Sequence, residues 1–292
     1  DIPNLTALNI DANTTSIGSF GGLECMTQLQ TLLAPGSHLQ GADLAPLANL
    51  AKLRVLNLAD NVPSDLSPLS NLVNLEELDV SATTSSPASL DLTPLSSLTK
   101  LTYLNLGGQD VADLSPLLSN KGLQRLNLRG TPLSVLTTVA QFKGLQSLWI
   151  DDTDVSSLAP LANHPSLRVL SADSTPVTTL AGLQGLACLG DISFRNCVLS
   201  DISAVSGATT LREIGLAFTS LSDASVIATL TGAGNLDLGF NELTDLSPLS
   251  DAAGFGHGGL LNVAGNPLDC DANDEAIRTL KARGMQVTSS CN

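Results

Sequence analysis

Large rings are scarce in this chain. One Trp, one Tyr and six Phe bring aromatics to only 3% of 292 residues, so a core built around bulky rings is excluded and the apolar mass must come from aliphatic side chains. Positive charge is scarce as well, with 13 Lys and Arg against 28 Asp and Glu and a net charge of −15. Nucleic acid and anionic membrane surfaces both attract clustered positive charge, so neither is an expected partner; the acidity reads as a solubility device ahead of the alternative, an acidic surface evolved for a basic ligand. No apolar run approaches the roughly 18 residues of a membrane-spanning helix. The five cysteines are Cys25, Cys188, Cys197, Cys270 and Cys291. They form no C-x-x-C pair and no His lies near them, which argues against zinc. Their odd number leaves at least one free thiol, or a partner on a removed segment. The chain begins at Asp1 without initiator Met or signal peptide, which suggests a processed or trimmed product.

What is abundant is leucine at a fixed period, the mark of a repeat architecture. The template L-x-x-L-x-L-x-x-(N/T/C) fits Leu53-Leu56-Leu58-Asn61, Leu75-Leu78-Val80-Thr83, Leu101-Leu104-Leu106-Gln109 and Leu123-Leu126-Leu128-Thr131. It continues through Leu145-Leu148-Ile150-Thr153, Leu167-Leu170-Ala172-Thr175, Leu189-Ile192-Phe194-Cys197 and Leu211-Ile214-Leu216-Thr219. From Leu101 to Leu211 the first leucines recur every 22 residues. Weaker copies at Leu5-Leu8-Ile10-Asn13, Leu29-Leu32-Ala34, Leu236-Leu238-Asn241 and Leu261-Val263-Asn266 bring the total to 12, and the fourth position is Leu or Ile in all of them. One repeat cannot bury its own leucines; stacking makes them a continuous core. Each x-L-x-L-x stretch is expected to pair in parallel with the next, with the Asn/Thr/Cys side chain bonding the turn behind it. Between strands, L-[S/T/A]-P-L recurs, often after Asp65, Asp113 or Asp245. Asp suits an N-cap and Pro is tolerated in a first turn only, so these segments read as short 3₁₀ or single-turn helices. The expected fold is an α/β solenoid with a concave parallel β-sheet and a thin convex face, in about 12 repeats.

That template decides which side chains leave the sheet, because alternate strand residues face opposite sides. Positions three, five and seven point outward. They place the only Trp, Trp149, and the only Tyr, Tyr103, on the concave face with Arg125 and Arg129 between them. Trp, Tyr and Arg are the residues enriched at binding hot spots. Position seven gives Arg129, Asp151, Asp173 and Arg195 in successive repeats, spaced so that Arg129–Asp151 and Asp173–Arg195 can pair. The predicted ligand-binding set is therefore Tyr103, Arg125, Arg129, Trp149, Asp151, Asp173 and Arg195. A calcium site at Asp151, Asp152, Asp154 and Asp173 is the competing reading, and the flanking arginines and the lack of an ordered ligand loop disfavour it. Catalysis is not expected. His38, His164 and His257 fall in widely separated repeats, and no nucleophile elbow, phosphate loop or H-E-x-x-H is present. No cofactor and no structural metal are expected.

These residues resemble the leucine-rich repeat family, and the 22-residue period with Asn241-Glu-Leu-Thr-Asp-Leu-Ser-Pro-Leu249 resembles its internalin and SDS22-like class. The resemblance covers nearly the whole chain and implies fold far more than ligand. Residues 29–266 would be the solenoid and 1–28 an irregular first repeat or N-terminal cap. Residues 267–292 resemble the disulfide-closed C-terminal cap of secreted bacterial repeat proteins. That implies a Cys270–Cys291 bond, a helix over 274–283 with Ile277 and Leu280 inward, a stop at Gly284 and a strand from Met285 to Val287. The resemblance implies extracellular, periplasmic or cell-surface recognition of a protein ligand on the concave face. The alternatives are a spacer domain in a longer surface protein, or an intracellular SDS22-like regulator.

Overall fold

Three inward leucines per repeat need a neighbour on each side, and short parallel strands supply it. The computed structural model describes residues 4–10, 19–36, 44–61, 63–83, 89–199, 201–256 and 258–291. Asn13, His38, His257 and part of the segment 1–28 lie outside the described residues. The chain divides into two compact units, Asp1–Trp149 and Ile150–Asn292. The first holds β1 (Ala7–Asn9), β2 (Thr31–Leu33), β3 (Val55–Asn57), β4 (Glu77–Asp79), β5 (Tyr103–Asn105), β6 (Arg125–Asn127) and β7 (Ser147–Trp149), each parallel to the next. The second holds β8 (Val169–Ser171), β9 (Asp191–Ser193), β10 (Glu213–Gly215), β11 (Asn235–Asp237), β12 (Leu260–Asn262) and β13 (Gln286–Thr288), again parallel throughout. The fourth template residue is the centre of every repeat strand. Leu56, Leu78, Leu104, Leu126 and Leu148 are in register and at most 1% exposed.

The ninth-position side chains bond the carbonyls behind the strand. The Asn61 amide donates to the carbonyls of Ala34 at 2.7 Å and Leu58 at 3.0 Å, joining two repeats, whereas the Thr131, Thr175 and Thr219 hydroxyls each donate to the carbonyl three residues back. Behind the strands lie 3₁₀ turns such as Ser67–Leu69, Thr93–Ser97, Ser115–Ser119 and Ala159–Leu161, each with Pro in its first positions and a fully buried Leu. Two such segments close as single-turn helices, α1 (Ser225–Ala228) and α2 (Ser247–Asp251).

The aspartates before these turns are not N-caps. Leu66, Leu92 and Leu114 hold the cap position with their side chains directed inward, so the carboxylate acts from one residue earlier. Asp65, Asp91, Asp113, Asp201, Asp223 and Asp245 each accept the backbone N–H two residues on, at 2.7–2.8 Å. All six titrate below the ordinary aspartate value: Asp65, Asp113 and Asp201 chiefly because of that N–H, Asp91, Asp223 and Asp245 chiefly because of the hydroxyl on the same residue. A carboxylate whose folded pKa is depressed stabilises the fold above its unfolded value, about 3.9 for Asp. That contribution disappears as pH falls through the lower folded value. Denaturant midpoints should therefore fall together below about pH 4, and Asp113→Asn should flatten the acid limb; an acid limb identical to that of the parent chain would assign it to other groups.

The C-terminal helix α3 runs over Cys270–Ala282, four residues further toward the N-terminus than the sequence suggests. Asp269 is the reason: its Oδ1 accepts the N–H groups of Asp271 at 3.0 Å and Ala272 at 3.2 Å and opens the helix there. Ala276, Ile277 and Leu280 form its buried face. Gly284 follows at φ 93°, the left-handed turn that ends helices. Met285 is buried, and β13 pairs with β12. Cys270 and Cys291 are disulfide-bonded, with Cα atoms 5.1 Å apart. The Arg283 guanidinium donates to the carbonyls of Ser250 at 2.5 Å, Ala252 at 3.0 Å and Phe255 at 3.1 Å, fastening the helix end to the turn after α2.

Candidate functional site

In the first unit, Glu77, Tyr103, Arg125 and Ser147 occupy one row across β4 to β7. The Arg125 guanidinium lies over the Tyr103 ring, 4.6 Å from its centroid, and reaches past it to Glu77 Oε1 at 3.0 Å. Both ends of that ion pair are nearly half exposed, so it adds at most about 1 kcal/mol. Its effect is positional, because the ring, the guanidinium and the carboxylate hold one another in place. Burial pushes the Tyr103 hydroxyl above its usual value and the Asp79 charge adds to this, with Arg125 opposing. Tyr103 is therefore neutral across the physiological range.

Trp149 stands in the adjacent row, opposite Asn127 and partly exposed. From β3 to β6 its row is polar, and those polar groups are engaged. Asn57, Asp79, Asn105 and Asn127 each accept the N–H two residues on, at 2.9–3.1 Å, and Asn105 also donates to Asp79 Oδ2 at 3.0 Å. The row is thus a set of braces closing each strand into its turn, with one ring at its end. Arg129 is exposed in the turn those braces close.

In the second unit the position-seven residues form a hydrogen-bond ladder. Asp151 is buried, and its Oδ1 accepts the Ser171 hydroxyl and, at 2.8 Å, the Asp173 N–H. Asp173 Oδ1 repeats the pattern with the Ser193 hydroxyl at 2.6 Å and the Arg195 N–H at 2.7 Å. The Arg195 guanidinium pairs not with Asp173, as spacing suggests, but with Asp237, Nε to Oδ2 at 3.1 Å. It crosses β10 because Gly215 stands there: a Cβ at Gly215 would lie 3.3 Å from the guanidinium and 2.7 Å from Ser193 Oγ. Arg129 and Asp151 belong to different units. Among the described residues, no group of three or more His, Cys, Asp and Glu is placed to hold a metal ion. Burial pushes the Cys197 thiol up, away from a nucleophilic thiolate. Its Sγ donates to the Ala172 carbonyl of the preceding repeat at 3.2 Å, the bridge between repeats that Asn61 makes, not the local bond of the threonines.

One feature escapes the template. The residue after position seven turns through left-handed backbone, at φ 54–74° for Asp60, Gly108, Gly130, Asp152, Ser174, Asn196, Phe218, Phe240 and Gly265. Small or hydrogen-bonding residues suit that conformation; a bulky side chain there costs about 1–2 kcal/mol. Phe218 and Phe240 nevertheless occupy it, stacked with centroids 4.4 Å apart and planes 4° from parallel, and 51% and 53% exposed. The signal in the sequence is two phenylalanines one period apart at left-handed turns that other repeats fill with Gly, Asp, Ser or Asn.

Strand register, buried leucine rows and thin turns recur in solved structures. An internalin (InlF) of Listeria monocytogenes superposes with TM-score 0.84 and 27% identity, covering 99% of this chain and 83% of its own. The chain is a leucine-rich repeat protein with an internalin-like fold. An internalin C2 of the same organism matches at TM-score 0.54 and 26% identity over 72% of this chain and 80% of its own. A chain of the Drosophila Toll–Spatzle complex, at 13% identity and TM-score 0.68 over 98% of this chain and 44% of its own, shares the fold alone. No protein-family model matches the chain, and no curated protein sequence matches it.

Proposed function

We propose that this leucine-rich repeat chain is a non-enzymatic recognition module of the cell exterior that binds a protein ligand on its concave strand face, through Tyr103, Arg125, Arg129 and Trp149. The observation that carries the reading is the Glu77–Tyr103–Arg125 cluster, in which the only Tyr is held rigid by a guanidinium on the strand face. Rigid aromatic and arginine anchors are what hot spots use, because little side-chain entropy is lost when they are covered. Strand spacing puts Trp149 roughly 10 Å from Tyr103, within the reach of one partner element. Asp151, Asp173 and Arg195, in the second unit, are proposed on their strand position alone. The Cys270–Cys291 bond supports an oxidising compartment, and the Toll–Spatzle complex is an instance of this fold carrying a partner. The acidity opposes nucleic acid, and among the described residues no helix is long and apolar enough to cross a membrane.

A photo-crosslinking residue placed at Trp149, and separately at Asp113 on the opposite side of the repeat, tests this against surface proteins of the native environment. Capture at 149 and not at 113 is expected. Trp149→Ala should then weaken the captured partner by about 2 kcal/mol or more with little change in stability. Capture only at 113, with Trp149→Ala binding normally, would transfer the site to the convex turns and favour the spacer role.

A further inference from the structure

The fold does not require rings at residues 218 and 240. Ser174 and Asn196 make the same left-handed turn two repeats and one repeat before Phe218, at φ 56° and 57°. Phe218 and Phe240 instead keep a strained backbone and present a stacked, half-exposed apolar pair to water. Strained backbone retained with no packing requirement marks functional positions. Gly265 extends the accommodation, since a Cβ there would lie 2.5 Å from Phe240 Cδ1.

The Phe218 turn follows β10 and the Phe240 turn follows β11, and β9, paired with β10, adds a further carboxylate, part of whose charge Arg212 offsets. Asp191 and Glu213 stand side by side in register on β9 and β10, like charges facing one strand spacing. Glu213 accepts from the Asn235 amide at 3.3 Å, and the nearby Arg195 is answered by Asp237. The second unit as a whole holds 16 Asp and Glu against 6 Lys and Arg. We propose that this edge docks a basic, arginine-bearing polypeptide segment, with its side chains packing on the Phe218–Phe240 pair and its charges answered by Asp191 and Glu213. Arginine is the match because its planar guanidinium both stacks on aromatic rings and pairs with carboxylates. The site lies entirely in the second unit and does not depend on Tyr103 or Trp149.

The test is fluorescence anisotropy of the full chain with a labelled peptide of alternating Arg and Leu, beside its Glu–Leu counterpart. The Arg–Leu peptide is expected to bind and the Glu–Leu peptide not. Phe218→Ser with Phe240→Ser, and separately Asp191→Asn with Glu213→Gln, should each lower affinity by about tenfold or more, the scale of a hot-spot loss. Thermal unfolding of each variant checks the fold. A second aromatic pair, Phe218→Asn with Phe240→Asn, uses a residue that holds this backbone at Asn196 and should lose binding equally. Hydrogen exchange should slow at residues 217–219 and 239–241 when the Arg–Leu peptide binds the parent chain. Unchanged affinity in both aromatic pairs would reduce the effect to diffuse charge attraction and overturn the proposal. So would equal binding of the Glu–Leu peptide.

Discussion

Leu126→Ala is expected to destabilise the chain by about 2–5 kcal/mol, measured by denaturant unfolding. Leu126 is fully buried at the centre of β6, in register between Leu104 and Leu148. Removing its side chain opens a cavity bordered by the same residue type on both neighbouring strands, and three-residue strands joined to both neighbours have little freedom to collapse into it. Asn127, the next residue, points the other way and accepts one hydrogen bond, from the Arg129 N–H at 3.0 Å. Asn127→Ala should cost about 1 kcal/mol, the ordinary loss for one such bond. Equal losses at the two positions would shift the strand by one residue and turn every side chain assigned to the concave face inward.

Cys270→Ser is expected to cost about 3 kcal/mol in the chain-entropy account of a loop of this size. The bond joins the first residue of α3 to Cys291, a separation of 21 residues that encloses both α3 and β13. Without it, α3 still has the Asp269 cap and the three carbonyl contacts of Arg283. The cap should therefore loosen ahead of the repeats, seen as early proteolysis after residue 266 while the far-ultraviolet signal of the strands persists. A Cys270→Ser chain as resistant as the parent to denaturant and protease would mean that the loop is already held by packing. Finding both cysteines as free thiols in the native protein would remove the main support for an extracellular address.

The strands, their direction and the buried rows were legible because burial repeats with the chain: a Leu-x-Leu pair at one spacing has a single face to bury. Which residues leave the sheet followed from the same alternation, so Tyr103 and Arg125 could be placed on one face before their contact was seen. What each polar side chain does there was not legible. Asn57, Asn105 and Asn127 look outward in any template, yet their carbonyl oxygens are taken by N–H groups two residues away. Arg195 selects Asp237 over Asp173 because an intervening position lacks a side chain, and such a choice depends on three strands at once. The start of α3 moved because capping is decided by one carboxylate and two N–H groups, not by the periodicity of the helix. The turn phenylalanines are not legible in the template, because the backbone angle at position eight is a property the leucine pattern does not carry.

The asparagines near the C-terminus set an order of events. The N–H of Leu246 is held by Asn273 of α3, that of Leu243 by Asn266, and those of Leu221 and Thr219 by Asn241, each asparagine lying one step further along the chain than the amides it holds. Fraying that begins at the terminus must release these amides in sequence: Leu246 when α3 lifts, Leu243 when the last repeat opens, and Leu221 with Thr219 only when the repeat before it follows. In these last repeats each turn is thus held by a side chain of the element that follows it, so local opening at the C-terminus proceeds one asparagine at a time.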